Sequence, residues 1–172
     1  MMPSQAGSRA ETRLQRVVGA VSTLSGVIAA SLIFVSVLIT CQMIWVRFVM
    51  NQSTIWQTEA VIYMMIAATL LGLPYVQRLR GHVNVDLIPG LLPPGARRVL
   101  ALVTLALGIG VIGIMLWHSS ELWHLAFSRG WTSDTVWGVE LWIPYLAMPV
   151  GFGLYILQML ADLLAEFAPS ED

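Results

Sequence analysis

The chain has 172 residues, of which 57% are hydrophobic and 11% charged, and its formal net charge is −1. With a mean hydropathy of +0.75, this composition excludes an ordinary water-soluble domain and gives no basic surplus for nucleic acid. A single cysteine, Cys41, excludes a disulfide framework, a thiol redox pair and a cysteine metal cluster.

Residues 1–13 are polar and are expected to form a disordered arm. From Val17 to Val46 the chain then runs thirty residues without a charge, and three further charge-free stretches follow: Ala60–Gln77, Val99–Ser120 and Leu141–Ala161. A hydrocarbon core of about 30 Å needs roughly 20 apolar residues in a helix, and a central charge costs on the order of 2.5–3.5 kcal/mol on insertion scales. The predicted fold class is therefore an all-α integral membrane protein with four transmembrane helices. The membrane domain is expected over about 14–167, with spans at about 17–46, 57–77, 97–124 and 140–164, before a short acidic tail at 168–172.

The first helix is expected to begin at Leu14 or Val17 and end at Phe48. An outer loop, Asn51-Gln52-Ser53-Thr54, leads to a second helix from Trp56 to about Arg78, with Ser53 or Thr54 as its cap and Glu59 near the positive end of its dipole. Arg47 and Glu59 flank this loop, where a salt bridge fixing the hairpin and a contact to another subunit are both open readings. The middle loop, Gly81–Ala96, holds Pro89, Pro93 and Pro94, which exclude one continuous helix. The third helix, about Gly95–Phe127, is longer than a perpendicular span requires, so it must tilt or project. The fourth starts near Val139, with Pro144 and Pro149 bending its first half.

The nine basic residues are all arginine: three precede the first span, four lie in the middle loop, and Arg47 and Arg129 occupy the other two loops. By the positive-inside rule both termini and the middle loop are cytoplasmic. All seven tryptophans then fall at the outer ends of spans or in the outer loops. Such a belt anchors a helix at headgroup level, and it equally suits a protein-docking surface. Small residues at four-residue spacing (Ser22, Gly26 and Ala30; Ala68 and Gly72; Ala106 and Gly110; Ala147 and Gly151) let backbones approach closely. The histidines do not form a haem or metal site: His82 sits in the middle loop, and His118 and His124 share one helix end. His82 and Asp86, four apart in a loop rich in proline and glycine, are a poor ligand pair, so no cofactor is expected. No acidic residue lies at the middle of a span, whereas an ion pathway through this chain alone would need an ionisable or unwound midplane site.

Several runs resemble the small permease subunit of tripartite ATP-independent periplasmic (TRAP) transporters, the DctQ family. Trp45-Val46-Arg47-Phe48-Val49 is similar to the end of that family's first helix. Trp56 and Glu59 match a W-x-x-E pattern, followed by Gly72 and by Gly81-His82-Val83-Asn84-Val85-Asp86, similar to G-H-I-x-V-D. Gly130–Ser133 resembles G-x-x-S, while Leu141-Trp142-Ile143-Pro144-Tyr145 and Met148-Pro149-Val150-Gly151 resemble the closing pattern. Phe48, where tyrosine is common, and Glu140, where an apolar residue or proline is usual, depart from it.

The resemblance implies a subunit of the bacterial inner membrane rather than an enzyme or a complete carrier. Its expected partners are a large permease subunit and a periplasmic solute-binding protein, in sodium-driven uptake of an organic acid. Arg47, Trp56, Glu59, Gly72, His82, Asp86, Trp142, Pro144 and Gly151 are the candidate interface or structural residues. Two other classes were weighed. A self-contained small exporter needs a membrane-embedded glutamate in its first span, and a redox-complex anchor needs haem or quinone ligands at depth; this chain has neither. The topology is checked with an impermeant thiol reagent in a Cys41→Ala background, in cells with a permeable outer membrane. Cysteines at Ser53 and Ser133 should react and those at Gly90 and Ser170 should not; labelling of the second pair in intact cells overturns the orientation.

Overall fold

The computed structural model of the protein describes residues 13–79 and 93–167. His82, Asp86, most of the middle loop, most of the N-terminal arm and the acidic tail lie outside the described residues. Helix α1 runs Arg13–Phe48, α2 Trp56–Arg78, α3 Pro94–Arg129, α4 Trp142–Tyr145 and α5 Ala147–Phe167. Four stretches are long and apolar enough to cross a membrane: Gln15–Phe48, Trp56–Arg78, Leu102–Arg129, and Trp142–Leu164, which joins α4 to α5. The chain is thus an all-α protein of four transmembrane helices. Helices suit this solvent because hydrocarbon offers no partner to a free backbone N–H or C=O.

The sequence-based boundaries need two corrections. Ile55, not Ser53 or Thr54, precedes α2, and it supplies no side-chain cap. Residues 139 and 140 belong to an extended turn, so the fourth span begins at Trp142. It is divided at Leu146, whose φ of −58° and ψ of −30° nevertheless remain helical. The division follows from Pro149, which has no N–H to offer the Tyr145 carbonyl four residues back. Helix α3 is long, as its sequence predicts, and extends over 36 residues. At 1.5 Å per residue that is about 54 Å, well beyond the hydrocarbon thickness.

Helices α2 and α5 form the centre, with α1 packed mainly along α2 and α3 packed on α4 and α5. In the apolar windows of α1 and α3 only 11% and 6% of residues are buried inside the chain, against 22% for each of the other two spans. The close approaches use small residues, though not all those whose spacing suggested it. The buried face of α1 is Ser22, Ser25, Ala29 and Ser36, whereas Ala30 is exposed, as are Ala106 and Gly110 on α3. Spacing of four marks a face without saying which way it points.

Gly151 carries the tightest contact between α2 and α5: a Cβ there would stand 2.8 Å from the Leu70 carbonyl oxygen. That carbonyl is the one left without its helical donor by Pro74, fully buried inside α2. Gly26 performs the same role between α1 and α2, against the Tyr75 ring. At Gly72, by contrast, a Cβ would meet only the Ala29 methyl, at 3.7 Å.

Polar side chains tie the three helices together near the Arg78 end. Ser22 Oγ on α1 donates to Gln158 Oε1 on α5 at 2.7 Å. Gln158 Nε2 and Gln77 Nε2 donate to the two oxygens of Asp162, at 2.8 and 3.1 Å. Arg78 donates to the Gly19 carbonyl at 2.7 Å and also to the Thr23 hydroxyl. Individual interhelical hydrogen bonds in membranes average about 0.6 kcal/mol, so this network acts through number and register. The packing predicts that Gly151→Ala destabilises the protein by about 1–3 kcal/mol, since the new methyl meets backbone that cannot yield. Gly72→Ala should be nearly neutral. Thermal unfolding of both variants in detergent checks the contrast, and equal stability would contradict it.

Candidate functional site

The densest polar cluster at the other end of the bundle is built on Glu59, in the first turns of α2. The segment between α3 and α4 folds into a small antiparallel turn, with Thr132 bridged to Glu140. Ser133 N–H donates to the Val139 carbonyl and Leu141 N–H to the Trp131 carbonyl, both at 2.8 Å. Two glycines make the turn possible. Gly130, at φ 60° and ψ 41°, ends α3 in the left-handed conformation, and Trp131 N–H reaches back to the Ala126 carbonyl at 3.1 Å. Gly138, at φ 61°, reverses the chain before its return arm.

This turn brings two hydroxyls down onto α2. Ser133 Oγ donates to Glu59 Oε1, and Thr135 Oγ1 donates to Glu59 Oε2. One turn along α2, Tyr63 OH donates to Oε1 at 2.6 Å. An ionised carboxylate only accepts, and three hydroxyl donors satisfy it without an opposing cation. Trp137 leans over Trp56 with ring centroids 6.1 Å apart and planes inclined at 54°, adding an apolar contact on the same side. The carboxylate and the indole pair together fasten the α3–α4 connection to the start of α2.

Arg47 and Glu59 are not partners. Arg47 Nε donates instead to Thr54 Oγ1 at 2.9 Å, stitching the end of α1 to its own loop, while the three hydroxyls occupy Glu59. Trp142 donates its indole N–H to Glu140 at 2.6 Å and presents its ring edge-on to Phe127, at 5.6 Å. Phe127 in turn stacks on Trp123. Glu140, the residue that departs from the expected pattern, therefore has a partner of its own. Pro144 lies in α4, while Gly72 and Gly151 lie deeper, in the packing between helices. Of the candidate residues, Trp56 and Glu59 meet at one place; Arg47 and Trp142 flank it.

The residues missed in the sequence are Tyr63 and Thr135 here, and Arg78, Gln77, Gln158 and Asp162 at the opposite end. Tyr63 was within reach of inspection, being four residues after Glu59. Ser133 is marked by the Gly130–Ser133 resemblance, but at 74 residues from Glu59 nothing local pointed to that partner. A concavity of about 1080 Å³ forms an open groove between α3 and the fourth span. Leu116, Trp117, Leu125, Leu146, Pro149 and Val150 line it, with His118 and Glu121 at its edge, 3.4 Å apart and well exposed. An open, apolar groove of this kind meets hydrocarbon or protein better than it meets a hydrated organic ion.

Comparison with known proteins places these features in a family context. A model for the DctQ component of tripartite ATP-independent periplasmic transporters matches residues 36–168. The chain is 24% identical over 144 residues to the C4-dicarboxylate TRAP transporter small permease protein DctQ of Vibrio cholerae serotype O1, covering 72% of this chain and 62% of that protein. It is 25% identical over 114 residues to the isethionate TRAP transporter permease protein DctMQ of Oleidesulfovibrio alaskensis, covering 66% of this chain and 18% of that one. The chain therefore spans less than two thirds of the length of either relative.

Proposed function

The chain belongs to the DctQ component family of tripartite ATP-independent periplasmic transporters, and from that premise we propose that it is a scaffold. In this reading it braces a large permease subunit in the bacterial inner membrane, with both termini in the cytoplasm, and a periplasmic solute-binding protein delivers the substrate. The large subunit carries the substrate and sodium sites and drives uptake of an organic acid. This chain catalyses no reaction and holds no ion of its own.

The observation that carries the proposal is where charge sits. Each span has a long charge-free interior, and the charged groups lie toward the ends. Glu59, Arg78 and Asp162, which a carrier would leave available, are engaged by hydroxyls, amides or a backbone carbonyl of this same chain. Desolvating a charged substrate in such a bundle has no compensating partner. The rigid end clusters and the largely unburied faces of α1 and α3 suit a part that holds another protein still.

The isethionate relative supports the same reading from a different side. It is named a DctMQ permease protein, and only 18% of its length aligns with this chain. A segment like this one there shares a polypeptide with a much larger permease part, which fixes their ratio at one to one.

The experiment is reconstitution. Purified protein alone in liposomes should move no organic acid under a sodium gradient. It should co-purify one-to-one with the large subunit, with transport appearing only when the binding protein is also present. A transport-active, monodisperse preparation of this chain by itself overturns the scaffold reading and revives a small self-contained exporter.

A further inference from the structure

The Arg78 end of the bundle carries charge that the packing does not use. Helices α1 and α2 place Arg13, Arg16 and Arg78 there, with Asp162 on α5. Arg78 is committed, its guanidinium bonded to the Gly19 carbonyl and the Thr23 hydroxyl. Both oxygens of Asp162 accept from glutamine amides. Arg13 and Arg16 are exposed, and among the described residues neither has an ion pair.

Depth along α1 gives these two arginines a particular environment. Arg78 ends a 23-residue span and its guanidinium reaches along α1 to the Gly19 carbonyl; a charged head on a long stem seeks the water border, so Gly19 marks the edge of the hydrocarbon. Arg16 and Arg13 lie roughly 4.5 and 9 Å beyond Gly19 along the helix axis. The headgroup layer on each side of a bilayer is about 5–8 Å thick, so both guanidinium groups, on flexible stems, reach the phosphates. They are one turn apart on the same side of the helix. Above them on the same side rise Val17, Leu24, Val27 and Ile28, all exposed, Val17 and Leu24 at 61%. A paired cation with an apolar stripe over it is the complement of an anionic amphiphile. A soluble anion would match the arginines and leave the stripe unused.

We propose that the Arg13–Arg16 turn and the Val17–Ile28 stripe form a binding face for an anionic phospholipid, the phosphate held by the guanidinium pair and an acyl chain laid along the stripe. Guanidinium suits the task because its planar fork engages two phosphate oxygens at once. The inference does not depend on the scaffold reading or on which leaflet this end faces.

The test is native mass spectrometry of the full chain released from micelles holding equal amounts of phosphatidylglycerol and phosphatidylcholine. The wild type should retain phosphatidylglycerol preferentially. The double variant Arg13→Gln/Arg16→Gln should lose about fivefold of that preference per arginine, roughly 25-fold in all. Arg13→Lys/Arg16→Lys should keep most of it, and Arg129→Gln, at the opposite end, should keep all of it. Circular dichroism establishes that each variant is helical; if the glutamine variant is not, the lysine pair and the wild-type lipid preference still decide. Equal retention of the two lipids by the wild type, an unchanged preference in a folded glutamine variant, or an equal loss in Arg129→Gln overturns the proposal. So does displacement of the lipid by sodium phosphate beyond that caused by sodium chloride of the same ionic strength, which would identify a free-anion site.

Discussion

A single carboxylate holds the two halves of this protein in register at one end. Glu59 stands where α2 enters the membrane, and the hydroxyls it accepts come from α2 itself and from the connection between α3 and α4. Helix α3 otherwise packs chiefly on the fourth span. Without the Glu59 cluster, the second helical hairpin would be joined to the first through helix packing, the Trp56–Trp137 contact and the polar ties at the far end. The interaction suits its setting. An arginine partner would need to be oriented and desolvated beside the carboxylate, whereas three short hydroxyl side chains satisfy it at less conformational cost.

The opposite end solves the same problem with different chemistry. There Ser22, Gln158, Asp162 and Gln77 link α1, α5 and α2, and Arg78 reaches across to the α1 backbone. Between the two clusters the helices meet through small residues, with Gly151 set against the carbonyl that Pro74 leaves free. The bundle is thus tied at both borders of the membrane and closely packed at a few points between them. Its outer helices remain largely uncovered by their own chain. That distribution fits a member of the DctQ family acting as a brace: internal polar groups are spent on holding shape, and apolar faces remain for lipid and for a partner.

Much of this was legible in the sequence because the bilayer penalises charge so heavily. Four charge-free runs marked four spans, and the third was visibly longer than a perpendicular crossing needs. Trp56 and Glu59 were singled out together and do meet at one site. Of the two readings the short loop left open for Arg47 and Glu59, the local salt bridge does not form, because nearer hydroxyls claim each group: Thr54 for Arg47, and Tyr63, Ser133 and Thr135 for Glu59. Contacts between residues so far apart in the chain depend on how the third helix ends, which rests on the backbone of Gly130 and Gly138. Small-residue spacing found Ser22, Gly26 and Gly151, yet it equally marked Ala30, Ala106 and Gly110, which face away from the chain. The fourth helix was expected from Val139, just ahead of the charge-free stretch at Leu141, whereas the backbone at Val139 and Glu140 is held extended by the Thr132 bridge.

Hydrogen–deuterium exchange of residues 131–141 in nanodiscs tests the role of Glu59 most directly. The wild type should protect the Ser133 and Leu141 amides, which close the turn. In Glu59→Ala these amides should exchange several-fold faster while the middle of α2 stays protected, and Glu59→Gln, which keeps one acceptor, should fall between. Unchanged protection of the turn in Glu59→Ala would contradict the account, because the connection would then be held by something other than this carboxylate.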